Sequence, residues 1–82
     1  MKRIEYSSNA RRTLHKLDKL IGSQIINKIE LLSKNPELLE IKKMKGQSNL
    51  FRIRSGYYRI IFEIQIEFIY IIKIGHRKDI YK

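Results

Sequence analysis

The sequence contains no cysteine, so it can form neither a disulfide nor a thiolate metal site. Its two histidines, His15 and His76, lie far apart in the sequence, and neither belongs to a cluster with the spacing of metal ligands. We therefore expect no zinc centre and no other bound metal or cofactor.

Long apolar runs are also missing. The most apolar stretch, residues 60–74, is interrupted by Glu63, Gln65 and Glu67, whereas a transmembrane helix needs about 20 predominantly apolar residues. Only a single isoleucine separates the basic residues at the start of the chain from Glu5. The sequence therefore has no apolar stretch there that could serve as the core of a signal peptide. We expect a cytoplasmic protein with no membrane segment.

Acidic residues are scarce, with 8 Asp and Glu against 18 Lys and Arg and a formal net charge of +10. The 82 residues suffice for one domain, 1–82, and an excess of this size points to nucleic acid, an acidic protein or an anionic membrane surface as partner. Hydrophobic residues make up 43%, which is enough for a packed core and argues against wholesale disorder.

The first half of the chain has strand and then helical periodicity. Residues 2–6 alternate as in a short strand, and the apolar residues of 10–21 recur at helical spacing. Gly22 is expected to break this helix, with Ser23 capping a second one that ends before Pro36. So tight a connection predicts an antiparallel helical hairpin.

The second half alternates with the period of strands over residues 50–55, 57–64 and 68–74. The sequence therefore predicts an α+β fold in the order β-α-α-β-β-β. The N-terminal strand precedes the helical hairpin, which packs on one face of a small antiparallel sheet and leaves the other face partly open.

The basic excess is concentrated in the middle of the chain, because no acidic residue lies between Glu40 and Glu63. The basic residues of this segment are Lys42, Lys43, Lys45, Arg52, Arg54 and Arg59. Taken alone, the three lysines are better interpreted as part of a solvated loop. The strand arginines are harder to explain by folding alone.

A two-residue turn at Ser55-Gly56 predicts that Arg52 lies directly opposite Arg59, with Arg54 on the diagonal. Like charges that face each other across strands are destabilising, so folding gives no reason for this arrangement. Binding a phosphate between the guanidinium groups does.

The next hairpin is predicted to set Lys73 across from Arg59, and the chain then returns toward the arginines at its C-terminal end. One concave site would thereby gather Arg52, Arg54, Arg59, Lys73, His76, Arg77 and Tyr81. The site would have guanidinium groups, an imidazole and a phenol but no carboxylate cluster for Mg²⁺. Such a site suits RNA, whose own 2′-hydroxyl can be the nucleophile.

Two motifs, R-x-R-x-G-x-Y-R over residues 52–59 and G-H-R-x-x-I-Y over residues 75–81, resemble those of the RelE/ParE toxin superfamily. The resemblance covers nearly the whole chain and favours the RelE-like branch. Members of that branch are toxins of type II toxin–antitoxin systems that cut mRNA in the ribosomal A site. The resemblance implies metal-free cleavage, in which the RNA 2′-hydroxyl attacks the adjacent phosphate.

The resemblance also implies roles for individual residues. Arg52 and Arg54 match basic strand residues that contact the scissile phosphate, Arg59 and Arg77 match arginines that stabilise the transition state, and Tyr81 matches a nucleotide-contacting tyrosine. Relatives often have lysine at the first two positions, and arginine is a poor proton donor. His76 is therefore the predicted acid–base group. The predicted RNA-binding residues are Lys42, Lys43, Lys45, Tyr57, Lys73 and Lys78.

Three functions stay open at this stage. The first is a ribosome-dependent mRNA endonuclease, and the second is a ParE-like, non-nucleolytic inhibitor of DNA gyrase. The third is a degenerate relative that only binds RNA or an antitoxin. In each case we expect an acidic antitoxin, encoded nearby, to form a hetero-oligomer with this basic chain.

Overall fold

The computed structural model describes residues 2–46 and 49–78. The elements follow each other as β1 (Arg3–Tyr6), α1 (Ser8–Lys16), α2 (Lys19–Lys34), a 3₁₀ turn (Pro36–Leu38), β2 (Lys42–Lys43), β3 (Leu50–Ser55), β4 (Tyr58–Ile64) and β5 (Phe68–His76). The predicted α+β class and the predicted order of the main elements are confirmed. The two-residue strand β2 is an addition, since the lysine segment was expected to be a loop.

The five strands form one sheet in the order β1-β5-β4-β3-β2. Strands β3 to β5 form the predicted antiparallel arrangement, to which β2 adds antiparallel. The first strand pairs parallel to β5, a pairing that the sequence prediction left unspecified, so the sheet is mixed. The register sets Ile4 beside Ile69 and Tyr6 beside Ile71, which brings their side chains to the same face. The first strand therefore extends the apolar face of the sheet at its edge.

Ser7 begins the first helix and ties it to the sheet. Its Oγ accepts a hydrogen bond from the backbone N–H of Ala10 at 2.9 Å and donates one to the carbonyl oxygen of Ile72 at 2.6 Å. The first contact satisfies one of the N–H groups that a helix leaves unpaired at its start. The second contact holds the start of α1 against β5.

The boundary between the helices differs from the prediction at Gly22. The second helix is capped by Asp18, whose carboxylate accepts from the N–H of Leu20 at 3.2 Å, and Gly22 lies buried inside α2. A single glycine costs a helix only about 1 kcal/mol, which a good cap and tertiary packing offset. Neither helix in the described part of the chain has the length and apolar character needed to cross a bilayer.

Both helices pack on one side of the sheet, which we call the covered face. The core that joins them consists of Ala10, Ile25, Ile29, Leu32, Ile53, Ile60, Phe62, Ile69, Ile71 and Ile74. Tyr6 is half-buried at the margin of this core, and burial, reinforced by the charge of Glu30, raises the pKa of its phenol. The opposite side of the sheet, the open face, carries Arg52, Arg54, Arg59, Ile61 and Lys73.

Candidate phosphate-binding site

The β3–β4 turn determines which arginines meet. Ser55 pairs with Tyr58, so the two central residues are Gly56 and Tyr57 rather than the predicted Ser55 and Gly56. Gly56 has a φ of +61°, and no residue other than glycine has a positive φ in the described part of the chain. A positive φ at only the first central position is the feature of a type II′ turn, which favours glycine there.

Compared with the prediction, this turn shifts the pairing of β3 with β4 by one residue along each strand. Arg54 lies directly opposite Arg59, Arg52 lies opposite Ile61, and the predicted Arg52–Arg59 pair is wrong. The assignment of residues to faces nevertheless holds, because moving both strands by one residue keeps directly paired side chains on the same face. Two arginines still face each other, but the partner of Arg59 is Arg54.

The β4–β5 register also differs from the prediction. Lys73 lies opposite Ile61, and Gly75 lies opposite Arg59, with an irregularity in the pairing between Ile61 and Phe62. Lys73 is therefore on the open face, but its cross-strand partner is Ile61 and not Arg59. It is displaced along the sheet from the Arg54–Arg59 pair. A glycine on the β5 side leaves Arg59 without a side-chain neighbour at the directly opposed position.

Arg59 is the most constrained member of the pair. Its side chain is half-buried, and its Nε is buried without a hydrogen-bond partner among the described residues. Neither Arg54 nor Arg59 forms an ion pair with a carboxylate in residues 2–46 and 49–78. Leaving a buried donor unpaired costs about 1–3 kcal/mol, and more for a charged group. An oxyanion between the two guanidinium groups would satisfy both the geometry and the charge.

These arginines line a cavity of about 340 Å³ that we call the arginine cleft. Its lining residues are Lys28, Glu40, Lys42, Arg52, Ile53, Arg54 and Arg59. Lys28, from α2, was missed by the sequence analysis, since its helical position gives no sign that it reaches the sheet edge. Glu40 was also missed, and its carboxylate forms an ion pair with the ammonium of Lys42 at 3.3 Å.

A second group of predicted site residues meets at the end of the sheet. The ring of Tyr57 stacks on His76 with centroids 6.1 Å apart, and the guanidinium of Arg77 lies 5.3 Å from the Tyr57 ring centroid. The backbone N–H of Arg77 donates to the carbonyl oxygen of Tyr57 at 2.8 Å. This bond continues the pairing of β5 with the β3–β4 hairpin by one residue beyond the end of the strand.

His76 is not brought together with Arg52, Arg54 and Arg59. It pairs with Tyr58 in the register of the covered face, and its ring lies edge-on to that of Tyr58, with centroids 5.5 Å apart. Its Nδ1 accepts a hydrogen bond from the backbone N–H of Lys78 at 3.2 Å. The predicted concave site that included His76 is thus divided between two faces of the sheet.

The remaining predicted residues are spread more widely. Lys42 lies opposite Arg52, whereas Lys43 lies opposite Phe51 and so belongs to the covered face. Lys45 and Lys78 are exposed outside the strands. Tyr81 lies outside the described residues. Within the described ranges, no three His, Asp or Glu side chains lie close enough together to hold a metal ion.

Comparisons with known proteins agree on one family. A family model described as the ParE toxin of the type II toxin–antitoxin system parDE matches residues 4–81. Toxin RelE3 of Methanocaldococcus jannaschii is 47% identical over 49 residues. That match covers 60% of this chain and 56% of the relative, so it spans little more than half of the relative's length.

Solved structures show the same fold over nearly the full length. A chain of the RelB–RelE antitoxin–toxin complex from Methanococcus jannaschii is similar with a TM-score of 0.80 and 32% identity, covering 95% of each chain. A chain of the archaeal RelE–RelB complex from Pyrococcus horikoshii OT3 is similar with a TM-score of 0.78 over 95% of this chain and 97% of that one. Its identity is 24%, so it supports the fold alone.

Proposed function

The chain belongs to the ParE toxin family of type II toxin–antitoxin systems and is a RelE-like toxin, and from that premise we propose that it is a ribosome-dependent mRNA endonuclease. The resemblance seen in the sequence motifs is thereby confirmed at the level of the family. The proposed reaction is cleavage of mRNA in the A site by attack of a 2′-hydroxyl on the adjacent phosphate.

The observation that carries the proposal is the Arg54–Arg59 pair on the open face. Two guanidinium groups face each other, neither has a carboxylate partner among the described residues, and the Nε of Arg59 is buried and unpaired. This arrangement opposes folding and favours an anion. The scissile phosphate diester is the anion that we propose for it.

The chemistry needs these groups because negative charge accumulates on the phosphate. As the bond from the 2′-oxygen to phosphorus forms, the bond from phosphorus to the 5′-oxygen breaks, the 2′-hydroxyl loses its proton and the 5′-oxygen gains one. Guanidinium groups held on rigid strands bind the extra charge without reorganising. The products would carry a 2′,3′-cyclic phosphate and a 5′-hydroxyl, and no metal need take part.

In this proposal His76 stays the acid–base group, and it also has a positioning role. Its ring supports Tyr57, whose other contact is the guanidinium of Arg77. Tyr81 stays a predicted contact to the nucleotide.

The proposed partners follow from charge and from the solved relatives. The net charge of +10 speeds association with an acidic protein, and the two archaeal structures are complexes of RelE with RelB. We propose that an acidic antitoxin encoded nearby binds this chain as a hetero-oligomer. Ribosomes and mRNA are the proposed targets, and the proposed location is the cytoplasm.

Single-turnover cleavage of mRNA on programmed ribosomes tests the proposal. Arg59→Ala and Arg77→Ala should each lower the rate at least about a hundredfold, because each removes a donor to the transition-state charge. Arg12→Ala, which removes an exposed arginine on α1, should keep the wild-type rate. If both site variants cut at the wild-type rate, the phosphate site is assigned wrongly.

The alternative function is inhibition of DNA gyrase without nuclease activity, as in ParE-like toxins. This candidate is kept because the matching family model is described as that of the ParE toxin. Under this alternative, the wild-type chain would cut mRNA on no ribosome complex and would instead slow supercoiling by purified gyrase.

A further inference from the structure

A second cavity adjoins the arginine cleft on the side of α2. Its volume is about 390 Å³, and it is lined by Gln24, Asn27, Lys28, Leu31, Ser55 and Gly56. We call it the α2 groove. Lys28 lines both cavities, so the cleft and the groove meet at its side chain. The proposed function uses only the arginine cleft.

The sheet edge leaves this passage open. β2 pairs with β3 only at Phe51 and Arg52, so the end of β3 that leads to Ser55 has no strand beside it among the described residues. A chain bound on the open face at Arg54 can therefore continue across this edge toward α2. No described strand would have to move to admit it.

Lys28 is suited to hold a phosphate at this junction. Its side chain is half-buried, and it makes no ion pair or hydrogen bond within residues 2–46 and 49–78. Its neighbours at the two sides of the helix, Ile25 and Ile29, are fully buried, which fixes the helix against the sheet. Lys28 therefore lines the arginine cleft with no carboxylate partner among the described residues.

The α2 groove beyond Lys28 has the composition of a nucleotide subsite. Leu31 and Gly56 offer apolar surface for a base or ribose, and the exposed amides of Gln24 and Asn27 can hydrogen-bond a base edge. Side-chain amides both donate and accept, which lets them read the edge of an unpaired base.

We propose that the α2 groove binds the nucleotide next to the phosphate held by Arg54 and Arg59, with Lys28 on the phosphate that links the two sites. This inference rests on the proposed function, because it requires single-stranded RNA on the open face. It makes α2 a determinant of nucleotide preference, and Lys28 and Asn27 substrate-binding residues rather than catalytic ones.

The proposed contact between Lys28 and the linking phosphate is tested by measuring binding. Ribosomes are programmed with mRNA carrying a 2′-deoxynucleotide at the cleavage position, and toxin affinity is measured as a function of salt. Lys28→Met should reduce the slope of log affinity against log salt by about 0.7, the value for one phosphate contact on a single strand. Lys28→Arg should restore the slope, and Lys34→Met, an exposed lysine on the same helix, should leave it unchanged.

The base contact is tested by nucleotide preference. Asn27→Ala should lower kcat/KM for the preferred nucleotide by about fivefold or more relative to the others, because an amide–base contact is lost. In a ribosome-free titration with an uncleavable 2′-O-methyl tetranucleotide, the side-chain amide signals of Gln24 and Asn27 should shift in NMR spectra.

The outcomes separate the inference from the proposed function. If Arg59→Ala impairs cleavage while Lys28→Met keeps the wild-type salt slope and Asn27→Ala keeps the nucleotide preference, the α2 groove is not a subsite. If neither Arg59→Ala nor Lys28→Met changes binding or cleavage, the proposed function fails together with the inference.

Discussion

The covered face and the open face are built from the same three strands, yet they follow different physical rules. On the covered face, Ile53, Ile60 and Phe62 are 3%, 0% and 0% exposed and join the helices in one core. On the open face, the residues that alternate with them include Arg54 and Arg59, which repel each other. The covered face stabilises the fold, whereas the open face carries an arginine pair whose repulsion destabilises it.

Ile61 shows that the open face is itself divided. It is only 7% exposed although neither helix covers it, and it lies between Arg52 on β3 and Lys73 on β5. Long basic side chains can cover apolar surface with their aliphatic stems while their charges stay in water. Arg52 and Lys73 therefore contribute to packing around Ile61, whereas Arg54 and Arg59 face each other.

The largest effect is expected on the covered face. Phe62 is fully buried and stacks with Phe51 at a centroid distance of 6.0 Å. Phe62→Ala should lower the free energy of unfolding by about 3–5 kcal/mol, because it removes a large side chain and leaves a cavity. Urea denaturation followed by circular dichroism measures this loss. A loss below about 1 kcal/mol would contradict the assignment of this face as the core.

A smaller effect is expected where the covered face is joined to α1. Ser7→Ala removes the helix cap and leaves the carbonyl oxygen of Ile72 without this donor. The free energy of unfolding should fall by about 1 kcal/mol, within the range measured for helix caps. The cleavage rate at a temperature where the variant is folded should not change. A changed rate with unchanged stability would mean that Ser7 acts on the open face.

The assignment of Arg54 and Arg59 to the open face could be predicted from the sequence, because alternation on β3 and β4 depends only on the period of two. On β5 alternation fails, because the irregularity in its pairing brings both Ile71 and Ile74 into the core although they lie three residues apart. The register of the β3–β4 hairpin could not be predicted, since moving both strands by one residue keeps the same side chains on the covered face. The register of this hairpin is set by whether Gly56 is the first or the second central residue of the turn, and both positions accept glycine. The parallel pairing of β1 with β5 could not be predicted either, because it joins segments that lie far apart in the sequence.

The site was predictable only where its residues share a strand face. Arg54 and Arg59 follow from alternation, whereas His76 pairs with Tyr58 in the register of the covered face. Grouping His76 with the strand arginines took no account of this alternation. Lys28 comes from a different element, and only the packing of α2 against β3 brings it to the cleft.

The central claim is that the arginine pair exists for binding and not for stability, and the free energy of unfolding of Arg54→Gln tests it most directly. Arg54 is exposed, and glutamine keeps much of its length while removing the charge that faces Arg59. The account predicts that stability stays the same or rises by up to about 1 kcal/mol, the size of a cross-strand pair interaction. A fall of more than about 1 kcal/mol would show that the pair supports the fold and would contradict the claim.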